Sequence, residues 1–217
     1  MTPVNNPNQR APSLEAFEKG INSLADIIAP SSVEIDFNFI RVGERFYKTF
    51  FVVGYPRFVS SNWLSPVIDF DHSLNISMFI YPTSSSDVLN DLRRKIAEME
   101  ASISSEVESG RSPDPKIEAA LEDALGLQEE LAKGVERFFQ FSLYITLSAD
   151  SLKDLDEAGK KLSSTLSSLL IIPKIATLQM EDGFKSSVPI GIDKLFITRN
   201  MDTTSLASTF PFTSAML

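Results

Sequence analysis

The residues whose types and spacing come closest to a catalytic group are His72 and the two aspartates beside it, Asp69 and Asp71. A histidine held by a carboxylate can act as a general base, so this group would suit a small hydrolase. His72 is the only histidine, and the sequence contains no Gly-x-Ser-x-Gly nucleophile motif. Because acidic residues and histidines also serve turns between elements, we favour a structural role for all three.

Motifs that bind nucleotides or metals are missing from the sequence. A phosphate-binding loop needs Gly-x4-Gly-Lys-[Ser/Thr], but the one Gly-Lys pair, Gly159-Lys160, is followed by Lys161 and has Asp154 where the first glycine should stand. Glu181-Asp182 is typical of a helix start, where carboxylates are favoured. The absence of cysteine removes thiolate nucleophiles and cysteine-based metal sites. We therefore predict no catalytic, cofactor-binding or metal-binding residue in this chain.

Three short stretches combine aromatic, proline and charged residues in ways that suit a contact with another protein. For the first stretch we favour packing at a corner of the core over a partner surface, whereas the other two could equally be local caps or docking points. The candidate interface residues are Tyr55, Pro56, Arg57 and Trp63, then Arg199, Asn200 and Asp202, and finally Phe210 and Phe212.

Composition narrows the class of protein. The 217 residues are 43% hydrophobic and carry a formal net charge of −9, which suits a globular chain and disfavours binding to nucleic acid or to an anionic membrane surface. No apolar run approaches the roughly 18 residues that span a bilayer. The first dozen residues, with three prolines and three asparagines, predict a disordered tail at 1–12.

Periodicity predicts a single α+β domain over residues 13–217, with a mixed sheet of about five strands and flanking helices. Apolar spacing predicts a helix from Ser13 to Ala29. Alternation then predicts strands at 33–42 and 45–53 joined by a turn at 43–44, a short helix within 60–70, and a third strand ending at Pro82.

The most regular pattern lies in residues 84–134. Apolar residues recur every three or four positions from Val88 to Val107 and again from Ile117 to Leu131, with Gly110 and two prolines between the two runs. This predicts a long antiparallel helical hairpin inserted in the domain. Its narrow apolar seam suggests that the two helices pack chiefly on each other and project from the body.

After the hairpin, the pattern predicts a strand, a helix and a strand, with the helix at 151–168 and the second strand at 171–179. Such a unit places its two strands parallel in one sheet. The remaining chain predicts a helix near 180–187, an irregular segment or short strand near 195–198 and a last turn of helix at 203–208.

Eight short segments, taken in order, form a pattern that can be compared with known families. They are 49–57 (TFFVVGYPR), 63–66 (WLSP), 127–138 (LQEELAKGVERF), 143–146 (LYIT), 181–184 (EDGF) with 189–191 (PIG), and 199–203 (RNMDT) running on to 210–212 (FPF). In this order they resemble the N-terminal domain of the VirB/TrbE/CagE-type ATPases of conjugation and type IV secretion systems. The resemblance covers the chain from Val33 to its end.

The resemblance implies a non-catalytic N-terminal scaffold or oligomerisation domain. In that family a C-terminal motor domain with Walker motifs follows the segment that resembles 210–212, and ATP and Mg would be expected only there. The implied partners are other subunits of the same ATPase, as a possible hexamer, and inner-membrane proteins of the secretion channel. The implied location is cytoplasmic, peripheral at the inner membrane. The alternative is a stand-alone adaptor that binds a protein through the Trp63 region or through Phe210 and Phe212.

Overall fold

The computed structural model describes residues 29–56, 59 and 61–210, and these form a mixed structure of helices and one sheet. The predicted α+β class is confirmed. The strands are β1 (Val33–Ile35), β2 (Ile40–Val42), β3 (Arg45–Gly54), β4 (Leu74–Pro82), β5 (Phe138–Ala149), β6 (Ile172–Ile175) and β7 (Arg199–Asp202). The helices are α1 (Ser65–Ile68), α2 (Ser85–Glu108), α3 (Pro115–Lys133), α4 (Leu152–Ser168), α5 (Met180–Ser187) and α6 (Thr203–Ser208).

The sheet has seven strands, where about five were expected. Its order is β1-β2-β3-β5-β4, with β6 beside the end of β3 and β7 beside the start of β5. Every pair of neighbouring strands among the described residues is antiparallel, so the expected mixed sheet is corrected to an antiparallel one.

The extra strands come from two segments. The strand predicted at 33–42 folds as two short strands, because Asp36 closes a turn: its backbone N–H donates to the carbonyl of Phe39 at 2.9 Å, and its carboxylate accepts from the N–H of Asn38. The turn predicted at 43–44 is confirmed, with Gly43 at a φ of 62°. At the other end, the segment near 195–198, predicted as irregular or a short strand, is irregular, and β7, which was not predicted, forms at 199–202.

The predicted strand–helix–strand unit is present as β5, α4 and β6. Since both β5 and β6 run antiparallel to β3, they point the same way, as predicted, but β3 lies between them. The second strand is shorter than the predicted 171–179, and the short helix predicted within 60–70 is confined to α1. The helices predicted near 180–187 and at 203–208 are confirmed as α5 and α6.

Helices cover both faces of the sheet. On one face, α4 packs its leucines and Ala158 against apolar residues of β3 and β5, together with Trp63 and Leu64. On the other face, α5 packs through Met180 near Tyr144 and Ile40. β5 lies at the centre, and its residues from Phe141 to Leu147 are buried on both sides. The helices on both faces of the sheet thus pack against this one strand.

The helical hairpin is confirmed as α2 and α3. The side chain of Asp114 caps the start of α3 by accepting from the N–H of Lys116, and Gly134 ends α3 in the left-handed conformation. The two helices pack chiefly on each other, and the longer one extends about 36 Å. They are inserted between β4 and β5, which are themselves neighbours in the sheet.

Other expectations fall partly or wholly outside the described residues. The tail at 1–12 lies there, and so does the helix from Ser13 up to residue 28. The assignment of residues 13–217 to a single domain stays a prediction. None of the helices in the described ranges is long and apolar enough to cross a membrane.

Candidate functional site

Four of the predicted interface residues meet at one small cavity. Tyr55 and Pro56, which follow β3, face Asn200 and Asp202 of β7 across a space of about 240 Å³. The rest of the lining comes from neighbouring elements: Val59, Phe138, Met201 and Ser205. Residues separated by more than 140 positions in sequence are brought together because β7 pairs with the start of β5, close to the end of β3. We call this space the β7 cavity.

Tyr55 forms the buried wall of the β7 cavity. Its ring packs edge-on to Trp63, with 6.1 Å between ring centroids, and lies 5.8 Å from Phe141. Burial raises the pKa of Tyr55, an effect that Tyr144 increases and Arg199 reduces. Its hydroxyl is buried and has no hydrogen-bond partner among the described residues. Trp63 is only 8% exposed, so it supports Tyr55 from within the core and does not line the cavity.

The polar residues of β7 have local structural partners. The carboxylate of Asp202 accepts from the N–H of Ser205 at 2.6 Å and caps the start of α6. The exposed Arg199 donates from Nε to the carbonyl of Val53 at 2.6 Å, which ties β7 to the end of β3. Both residues therefore hold the elements around the cavity in place.

Among the remaining interface candidates, Phe210 is not part of the lining of the β7 cavity and is 61% exposed just after α6. Arg57 and Phe212 lie outside the described residues.

A second cavity lies at the base of the hairpin, and we call it the hairpin groove. It measures about 410 Å³, and Phe138 and Asn200 line both this groove and the β7 cavity. The hairpin contributes Asp87, Val88, Asp91, Leu92, Lys95 and Leu127. The mixed lining of apolar and charged side chains suits a segment of polypeptide better than a small charged ligand.

The residues considered for hydrolysis line a third, open cavity of about 620 Å³. His72, Asp69 and Asp71 form one side of this cavity. Helix α4 forms the other side through Lys161 and three hydroxyl residues. The hydroxyl of Ser168 donates to the carbonyl of Thr165 at 2.7 Å, within its own helix. His72 packs beside Phe70, and its Nδ1 has no partner among the described residues. No histidine–carboxylate pair of the kind that activates a serine is formed in this part of the chain.

A polar network that sequence reasoning missed centres on Asp193. Its carboxylate accepts hydrogen bonds from the hydroxyls of Tyr144 at 2.8 Å and Tyr81 at 3.0 Å, and from the N–H of Phe196 at 2.8 Å. Ser142 donates a further, longer bond. These bonds fasten the loop between α5 and β7 to strands β4 and β5. The only signal in the sequence was an aspartate in a loop, which does not reveal partners about 50 and 110 residues away.

This network predicts a specific loss of stability at high pH. Burial, with the hydrogen bond to Asp193, raises the pKa of Tyr81 to about 12, and burial also raises the pKa values of Tyr55 and Tyr144. A raised folded-state pKa gives stability below pH 10 that is lost as the pH rises toward 12. The free energy of unfolding of Tyr81→Phe should therefore fall less steeply over this interval than that of the parent. Urea unfolding at several pH values measures the slopes, and equal slopes would contradict the assignment.

Comparisons with known proteins identify no family. No protein-family model matches the chain, and no curated protein is significantly similar to it. Within residues 29–56, 59 and 61–210, no group of three or more acidic or histidine side chains could hold a metal ion.

Proposed function

We propose that this chain is a scaffold domain for protein–protein contacts, and that its hairpin is the contact element. The observation that carries the proposal is the place of the insertion. Pro82 at the end of β4 pairs with Phe139 near the start of β5, so a turn of two to five residues could join these strands. The chain instead builds two helices there, which pack chiefly on each other. Helices that the sheet does not need for its connection are available for a partner.

The surface of the hairpin supports the same proposal. Val107 near the end of α2 is 57% exposed and Leu125 of α3 is 43% exposed. The hairpin groove adds a concave surface at the base of the two helices, where a partner lying along them could bind. Exposed apolar side chains and a concave surface are both features of protein-binding surfaces.

In its specific form, the proposal is that the chain is the N-terminal domain of a conjugation or type IV secretion ATPase. The resemblance of the eight segments supports this form. The partners are then other subunits of the ATPase and inner-membrane proteins of the channel, and the domain lies in the cytoplasm, peripheral to that membrane. ATP and Mg would be bound in a following motor domain. The alternative is a stand-alone adaptor that uses the β7 cavity and Phe210.

Nucleotide binding tests the non-catalytic part of this proposal. We expect titration of the purified chain with ATP and Mg²⁺ to release no heat of binding, because the sequence lacks a phosphate-binding loop. ADP and buffer titrations are the controls. Saturable binding of either nucleotide would contradict the proposal.

The intact mass of the native product separates the two forms of the proposal. An antibody raised against the chain should detect a polypeptide much larger than 24.0 kDa in the source cells if a motor domain follows. A product of 24.0 kDa would contradict the ATPase form and favour the adaptor.

A further inference from the structure

The β1 edge of the sheet carries a group of exposed apolar side chains, which we call the β1 patch. Its members are Val33, Ile35, Phe37 and Leu178, with exposed fractions of 54%, 53%, 65% and 75%. The strand register places Val33 opposite Val42 and Ile35 opposite Ile40. Because residues directly opposite each other share a face, the patch continues the apolar face that α5 covers farther along the sheet.

The β1 patch is concave and held together by hydrogen bonds. The N–H of Leu178 donates to the carbonyl of Phe37 at 3.0 Å, and the hydroxyl of Thr177 donates to the side chain of Asn38. Three patch residues line a cavity of about 310 Å³ that reaches Met180 at the start of α5. Leu178 has a φ of 67°, a conformation that leucine rarely adopts, and its side chain is presented outward.

The chain itself contains an apolar segment within reach of this patch. Leu14, Phe17, Ile21, Leu24 and Ile28 recur at helical spacing in residues 13–28, which lie outside the described residues. Such a helix would present a single apolar stripe about 21 Å long. The five residue steps from Ile28 to Val33 span at most about 18 Å. Residue 28, the last of the segment, therefore lies within that distance of Val33.

We propose that residues 13–28 dock as a helix on the β1 patch of the same chain, with the apolar stripe against Ile35, Phe37 and Leu178. Removing apolar surface from water on both sides favours this contact. The short tether gives the segment an effective concentration of about millimolar, well above that of a second copy in dilute solution. This contact is separate from the hairpin and holds whether or not the hairpin binds a partner.

Because the sequence contains no cysteine, a pair of introduced cysteines can be cross-linked without competition from native thiols. Ile21→Cys and Gln179→Cys are introduced together and treated with a short bis-maleimide at low protein concentration. Gln179 lines the cavity but is not part of the patch, and its side chain makes no hydrogen bond among the described residues. Lys19→Cys with Gln179→Cys is the matched control, because Lys19 lies roughly on the opposite side of the predicted helix. We expect intramolecular cross-linking to be about fivefold faster for the Ile21 pair than for the control.

A second variant separates docking from simple proximity. Phe37→Asp added to the Ile21 pair should reduce its cross-linking to the level of the Lys19 control, while the far-ultraviolet circular dichroism and melting temperature of the sheet are retained. Equal rates for the two pairs, or a rate unaffected by Phe37→Asp, would overturn the proposal. Cross-linked dimers in place of intramolecular products would also overturn it, and would show that the patch joins two copies.

Discussion

Replacement of the hairpin by a short loop is expected to leave the sheet folded and to abolish assembly with partner proteins. The variant joins Ser84 to Gly134 through Gly-Asn-Gly-Ser and removes α2 and α3. β4 and β5 can remain paired along their length, because eleven residues, from Thr83 to Phe138, still connect the paired Pro82 and Phe139. We expect the melting temperature to change by less than about 5 °C, because few contacts join the hairpin to the sheet.

The design retains Glu136 for a structural reason. Its carboxylate accepts bonds from the N–H and hydroxyl of Thr204 in α6, and these bonds lower its pKa although burial opposes the shift. Assembly is measured on native gels of tagged parent and variant chains produced in the source cells. Glu118→Ala, a change on the outer face of the intact hairpin, is the control and should assemble as the parent does. A folded variant that still assembles would contradict the role of the hairpin.

A methyl group added at Gly183 is expected to destabilise the protein by about 1–3 kcal/mol, which is the usual cost of overpacking a core. A Cβ at Gly183 would lie 2.9 Å from Cβ of Thr49 and 3.1 Å from Cβ of Ala176. Thr49 is fully buried, and its hydroxyl is hydrogen-bonded to that of Thr146 at 2.7 Å, so it has no room to move. Helix α5 would have to shift from the sheet.

Gly126→Ala is the matched control, because Gly126 also lies within a helix but has no atom within 4 Å of an added Cβ. Alanine is about 1 kcal/mol better than glycine in a helix interior, so this variant should raise the helical stability of the hairpin. Urea unfolding followed by circular dichroism measures both changes. An absence of destabilisation by Gly183→Ala would contradict the packing described for α5, and destabilisation by Gly126→Ala would contradict the open position of Gly126 in α3.

The sequence predicted those elements whose signals are local. The hairpin helices were predicted from long apolar periods separated by Gly110 and two prolines, and both appear in the structure, where Asp114 caps the start of α3 and Gly134 ends it. Long helices of this kind are determined by patterns within a few turns. The alternation of β5 was also clear, because every second residue from Phe141 to Leu147 is apolar and these residues lie on one face of the sheet.

Features that depend on distant partners could not be predicted in the same way. The strand at β7 is only Arg-Asn-Met-Asp and has little strand propensity, so it forms because β5 offers it a free edge. The turn at Asp36 interrupts an alternation that otherwise fits one long strand. The β7 cavity combines Tyr55 with Asn200 through this pairing, so the sequence analysis identified four of its eight lining residues without indicating that they meet.

The most direct test of the hairpin as a contact element is cross-linking from the hairpin itself in the source cells. A photoactivatable amino acid at Val107, near the end of α2, should form a covalent adduct with another polypeptide. The same amino acid at Lys153, an exposed position on α4, should not. Adducts from Val107 alone are the predicted result. Adducts from Lys153 alone, or none from Val107 in cells where the chain is assembled, would contradict the account.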